Sequence, residues 1–316
     1  MTNSMIRRKL FRNYSKNLSL YRPELVGRFL CPICLEEFSD PSQIALAHVV
    51  PDAMGGKLTT LSCNRCDSEI GHKYNRHLVK EKEHFDDFEK QSQAYVTFQP
   101  KGNKGIKVIA DLAGLREPRP HIKCYPTSKM PKEIYRDYFS ESGPGNALEF
   151  SLGFSRESID LRKRNLSLIH SSFLMMFYQF GYEYILSECA DYMREAIIGK
   201  NKFINFKNAI NFINWGSISK PFSLPTMAVT KISTNLFFLS TLIPFNNESG
   251  YIVHLPCFGN GGVTAYENLL HTDTYHCDTK IIPNNILCKN LNKSEARGLG
   301  NQIVDEIIAQ AFNSIS

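Results

Sequence analysis

Cys31-x-x-Cys34 and Cys63-x-x-Cys66 stand 28 residues apart. Four thiolates from two such knuckles suit the tetrahedral geometry and soft-ligand preference of zinc. A disulfide or redox pair is the competing use of this spacing. Arg7, Arg8 and Lys9 run into Leu-Phe-Arg-Asn rather than into an apolar signal segment, so a cytoplasmic, reducing setting with metal-binding thiols is expected. Beside the thiols stand groups of another kind: His48 at the end of an apolar run, Asp67 directly after Cys66, and Asn75 eight residues further on. A neutral imidazole can take a proton from water near neutral pH. Carboxylate and amide oxygens suit a hard divalent cation, which neutralises charge on a phosphate. Phosphodiester hydrolysis is one reaction that needs both, an activated water and a cation on the phosphate.

The elements that must position them follow from pattern. Ile44 to Val50 reads as a strand stopped by Pro51, Gly55-Gly56 as a turn, and Lys57 to Ser62 as a second strand. The second cysteine pair then opens a helix running from Asn64 past Leu78, with Ile70, Tyr74, Leu78, Phe85 and Phe88 as its apolar stripe. On a helical period Asp67, Gly71 and Asn75 share one face, and Gly71 leaves room for a ligand. The plainer uses of these residues are a packing role for His48 and a helix-start cap for Asp67. His72 and His77 point to other sides of the helix.

Strand, turn, strand and helix carrying Cys31-Pro-Ile-Cys34, Ala47-His48-Val-Val-Pro51, Gly55-Gly56 and Cys63-Asn-Arg-Cys66-Asp67 resemble the HNH endonucleases, the ββα-metal nucleases. The resemblance covers about 50 of the 316 residues. It implies His48 as general base and Asp67, helped by Asn75, as the ligand of a catalytic magnesium or manganese, with nickel as a further option. The cysteines would hold structural zinc, and the partner would be nucleic acid, DNA before RNA. Lys57 and Arg65, with Arg7, Arg8 and Lys9 upstream, are the cations expected on its backbone. Many members carry Asp, Glu or His before the base, where this chain has Ala47. The middle Asn has no counterpart in Lys57 to Ser62, which leaves Thr59 or Thr60 to orient the imidazole. Analogy suggests a bacterial or phage defence or restriction role. Two alternatives remain open: a zinc-built nucleic-acid-binding protein without catalysis, and a nuclease switched by a ligand sensed in the carboxy-terminal part.

The net charge of +6 is unevenly spread. Residues 1–30 hold seven Lys/Arg against one Glu, residues 31–90 seven against eleven, and the remainder 23 against 19. A basic arm beside an acidic metal-binding stretch is what a metal-dependent nuclease would use. Three regions are therefore expected: an arm over 1–30, the metal module over 31–90, and an α+β domain over 91–316 for target selection or regulation. Within the last, Tyr95 to Phe98 and Ile106 to Leu112 read as a hairpin with a basic tip. Leu166 to Phe180 and Tyr184 to Ile198 read as paired helices with His170 in their core, and Thr226 to Leu255 as antiparallel strands. Residues 201–222, rich in Asn and Lys, read as a short helix and a loop. His254 and Cys257 have knuckle spacing, but His271, His276, Cys277 and Cys288 follow irregularly and read as buried residues rather than ligands. The most apolar stretch, Phe173 to Ile185, is broken by Gln179, Gly181 and Glu183, so no membrane span is expected.

Overall fold

Thr2, whose hydroxyl accepts the Met5 amide at 3.4 Å, caps α1 (Asn3–Ser19) in the computed structural model of the chain. The structure describes residues 2–90, 93–100, 106–111, 123–127, 150–154, 158–200, 205–214, 224–233, 236–246, 248–258, 261–271, 278–281, 302 and 304–306. Phe11, Tyr14 and Leu18, at helical spacing, are buried along α1. The segment expected as a basic arm is therefore a helix built into the core, with Arg8, Lys9, Arg12 and Lys16 exposed on the other side. Counting charges could not show this, because the cations and the apolar residues alternate through the same helical turns.

The chain is α+β and divides into two compact units, residues 1–80 with 160–316, and residues 81–159. Packing thus joins the expected arm and metal module to the carboxy-terminal part, and divides the chain elsewhere than at 30 and 90. In the first unit β1 (Phe29–Leu30) pairs with β2 (Glu37–Phe38), and β3 (Ile44–His48) pairs antiparallel with β4 (Thr59–Cys63). Then come α2 (Asn64–Ile70), a π turn over Gly71–Asn75, and α3 (Arg76–Lys90), which continues into the second unit. That unit holds β5 (Gln93–Pro100), β6 (Ile106–Asp111), β7 (Lys123–Pro126) and β8 (Phe150–Phe154) in an antiparallel sheet ordered β7-β6-β5-β8.

The first unit resumes with α4 (Leu161–Phe180), capped by Asp160, whose carboxylate accepts the Lys163 amide at 3.1 Å. From Leu166 to Phe177 every residue of α4 is buried, as a helix surrounded by other elements requires. Gly181 turns the chain at φ 59° into α5 (Tyr182–Ile185) and α6 (Glu188–Ile197). A five-stranded antiparallel sheet ordered β13-β10-β11-β12-β9 follows, from β9 (Ile210–Asn214), β10 (Thr226–Ser233), β11 (Leu236–Pro244), β12 (Ser249–Pro256) and β13 (Asp278–Ile281), with α7 (Gly262–Leu270) after β12. The strand β9 replaces part of the helix and loop expected over 201–222. Its Ile-Asn-Phe-Ile-Asn sequence belongs to a sheet edge, where one face stays wet and polar residues are tolerated. Trp215, the hairpin tip at 101–105, and His276, Cys277 and Cys288 lie outside the described residues. Residues 302 and 304–306 are helical. Among the described residues no helix is long and apolar enough to cross a membrane.

Candidate metal centre and candidate active site

The four thiols converge. Sγ atoms of Cys31, Cys34, Cys63 and Cys66 all lie within 4.8 Å of one another, and those of Cys34 and Cys63 are 3.7 Å apart. A tetrahedral zinc with bonds of about 2.3 Å has a sulfur–sulfur edge of about 3.8 Å, so the donor set fits that ion. The knuckles are shaped by their backbone: the Leu35 amide donates to the Cys31 carbonyl at 3.0 Å with Leu35 left-handed at φ 58°. Amides of Cys63 and Cys66 donate to the sulfurs of Cys31 and Cys63, both at 3.4 Å. Burial pushes the Cys31 thiol up, whereas its hydrogen bond with Cys31 brings Cys34 down to about 6. Thiolates this close repel one another, and a divalent cation relieves that. No disulfide joins them.

Distant residues hold the first knuckle. The Tyr182 hydroxyl donates to the Leu30 carbonyl at 2.6 Å and accepts the Leu30 amide at 2.8 Å. Arg194, 6% exposed, donates from Nε to the Pro32 carbonyl at 3.1 Å and from Nη2 to the Ile185 carbonyl at 2.6 Å, and pairs with Asp191. From the other direction Tyr14 stacks on Phe177 at 4.1 Å and shares a 2.7 Å hydrogen bond with Thr60.

On the β3–β4 pair His48 faces Thr59 and Ala47 faces Thr60. Side chains alternate across a strand, so Ala47 and Thr60 are buried while His48 and Thr59 share the other face. Thr60, committed to Tyr14, does not orient the imidazole, and Thr59 is the hydroxyl beside it in register. A carboxylate at position 47 would face the core. The acidic neighbour of His48 is instead Asp52, whose Oδ1 lies 3.9 Å from Nε2. Sequence reasoning passed over Asp52. The available signal was Pro51-Asp52 opening a tight turn four residues after the histidine.

That turn fixes the end of β3. Asp52–Met54 is a single 3-10 turn closed by the Gly55 amide on the Asp52 carbonyl at 2.7 Å, with Gly55 at φ 82°. Gly56 packs against backbone: a Cβ there would lie 1.9 Å from the Val50 carbonyl oxygen. Gly56→Ala should therefore displace the segment His48–Pro51 and destabilise the protein by about 1–3 kcal/mol. The urea midpoint should fall while zinc content holds, and an unchanged midpoint would show that the turn absorbs a methyl group.

Asp67 sits in the first turn of α2, whose amino-terminal cap is the Cys63 sulfur. Its carboxyl is half-buried, and burial raises its pKa against the opposing pull of nearby His48. It makes no hydrogen bond or ion pair among the described residues, so its oxygens are available to a cation. Asn75 lies in the π turn, a form found often at functional sites, and its Oδ1 accepts the Ser167 hydroxyl of α4 at 2.8 Å. His72 is exposed, whereas His77 is buried, its Nδ1 accepting the Asp160 amide at 3.3 Å. Lys57 is exposed, and Arg65, also exposed, pairs with Glu36 at 2.7 Å. Arg7, Arg8 and Lys9 stand on α1. His48 thus ends β3 with Asp52 in the turn after it, Asp67 directly follows Cys66 on α2, and Asn75 is tied to α4.

Residues 31–83 match the family model described as an HNH endonuclease. The match spans all four cysteines, both strands and the helix through the π turn. No curated protein and no solved structure matches the chain.

Proposed function

We propose, from the premise that residues 31–83 are an HNH endonuclease domain and the protein therefore a nuclease, that it hydrolyses phosphodiester bonds of DNA in a metal-dependent reaction. His48 takes the proton from the attacking water, and Asp52 steadies the imidazolium that results. Asp67, with Asn75, would hold a divalent cation, magnesium or manganese, which when bound supplies neutralisation of the charge on the scissile phosphate. Lys57 lies on the exposed turn after the histidine strand and contacts the backbone on either side of the cut. Zinc at the four cysteines keeps β1, β4 and α2 in fixed relation, so the carboxylate and the imidazole stay paired. The observation that carries this reading is the match of residues 31–83 to the HNH endonuclease family, with His48 at the end of β3 and Asp67 directly after Cys66. Residues 91–316 would select the target or control the nuclease, in a defence or restriction setting.

Supercoiled plasmid incubated with magnesium, manganese or nickel tests it. Wild-type protein should nick, and His48→Ala should slow nicking by about 10²–10⁴-fold with zinc content and DNA affinity intact. Equal nicking by the variant removes His48 as the base. The buried Ala47, where an acidic residue is common in the family, favours a second reading, nucleic-acid binding without cleavage. Tight DNA binding with no nicking under any of the three metals would establish it.

A further inference from the structure

We infer that α1 and the loops beside it form a nucleic-acid backbone groove outside the matched module, with Arg8, Arg12 and Lys16 as its contacts. This inference rests on the nuclease reading and extends it to a surface that reading does not use. A cavity of about 470 Å³ runs along α1, lined by Arg8, Phe11, Arg12, Ser15, Lys16 and the Val26–Gly27 turn with Pro41 opposite. A second, of about 280 Å³, continues it past Arg7 and Arg8 to Asp40 and Ser42. The two share Arg8 and Pro41, so they form one trough.

The charge in this trough is one-sided. The helix Asn3–Ser19 contains five cations and no acid. Arg8, Arg12 and Lys16 repeat every fourth residue, so they stack on one face and repel one another. They are exposed and make no ion pair among the described residues. Asp40, the acid at the rim, is occupied by the amide and hydroxyl of Ser42, at 2.8 and 2.5 Å. Asp40 attracts Arg8, but Arg12 and Lys16 make no ion pair among the described residues, and a polyanion would complete this face.

The dimensions suit a phosphodiester strand. Eight residues of helix separate Arg8 from Lys16, about 12 Å, or three to four consecutive phosphates at about 3.4 Å of axis per strand charge. The trough ends at Pro41, which opens the 3-10 turn Pro41–Gln43 ahead of β3, and His48 ends that strand. Seven residues of extended chain cover at most about 23 Å, roughly seven base pairs of duplex. A duplex cut at His48 therefore has backbone within reach of the trough. Of the contacts expected at Arg7, Arg8 and Lys9, Arg7 and Arg8 line the trough and Lys9 does not, while Arg12 and Lys16 join them.

The test is fluorescence anisotropy with a 30-base-pair duplex, without added divalent metal, between 50 and 200 mM salt. Arg8→Gln/Arg12→Gln/Lys16→Gln keeps good helix formers. It should lower the slope of log affinity against log salt by about 2.7, which over this range removes about 40-fold of the wild type's salt-dependent loss. Lys9→Gln should leave the slope unchanged. A triple variant with the wild-type slope and an unchanged melting temperature overturns the groove. So does a variant that binds DNA normally but loses binding to vesicles of anionic lipid. Failure of the nuclease reading looks different: wild-type protein would keep the steep slope and the triple variant would lose it, but neither would nick plasmid.

Discussion

Cys63→Ser should leave the protein with less than a tenth of its zinc and without a cooperative melting transition in the unit formed by residues 1–80 and 160–316. Cys63 ends β4, caps α2 through its sulfur, and accepts the Cys66 amide at 3.4 Å. A serine hydroxyl can still cap α2, so the substitution removes the metal donor and leaves the helix start in place. Structural zinc contributes about 10–16 kcal/mol in small zinc domains, against about 5–15 kcal/mol for the net stability of a whole domain. Strands of two residues, such as β1 and β2, have too little ladder to persist without it. Metal analysis of the purified protein and a thermal melt followed by circular dichroism read both effects. Cys124→Ser serves as the control, since Cys124 lies in the other unit, on β7. Full zinc occupancy in Cys63→Ser would overturn the four-cysteine centre.

Acid should unfold the same unit at mild pH, because two histidines are locked inside it as neutral imidazoles. His170, on α4, and His254, on β12, are fully buried, and burial holds both pKa values near 4. His254 Nδ1 shares a 2.7 Å hydrogen bond with Ser240, in register across β11 and β12. An unfolded histidine titrates near pH 6.5. Above that value neither state takes a proton, and the stabilisation is complete. As the pH falls from about 6.5 to about 4, the unfolded chain binds protons that the folded chain refuses, and stability is lost. The shift of about 2.5 units amounts to about 3 kcal/mol for each histidine. Urea unfolding at pH 7.5, 6.0 and 4.5 should show the decline, and His170→Leu should remove about half of it. A variant with the same pH dependence as wild type would show that His170 is hydrated and titrates normally.

The parts of this molecule that the sequence disclosed are those whose cause is local. Cys-x-x-Cys closes on itself in a turn, and a strand that stops at Pro51 and resumes after two glycines announces a hairpin. The run from Asn64 to Leu78 keeps one apolar stripe. Metal centre, strand pair and helix were legible for that reason, as was the antiparallel order of the strands from Thr226 onward. What could not be read depends on partners far along the chain. Asn75 meets Ser167, 92 positions away, and Tyr182 meets Leu30, 152 away. No periodicity encodes such a contact. The role of α1 was hidden for a related reason: a count of seven cations is blind to helical phase, and phase decides which of them line a trough. Ala47 looked like a missing acid until the register showed that its side chain faces inward.

The bonds from Tyr182 and Arg194 to the first knuckle bear on how this protein can be altered. A cassette cut from residues 31–83 would carry every group proposed for the chemistry and leave behind both anchors of the loop that presents Cys31 and Cys34. Grafting the activity onto another scaffold therefore means moving α5 and α6 together with the metal-binding stretch.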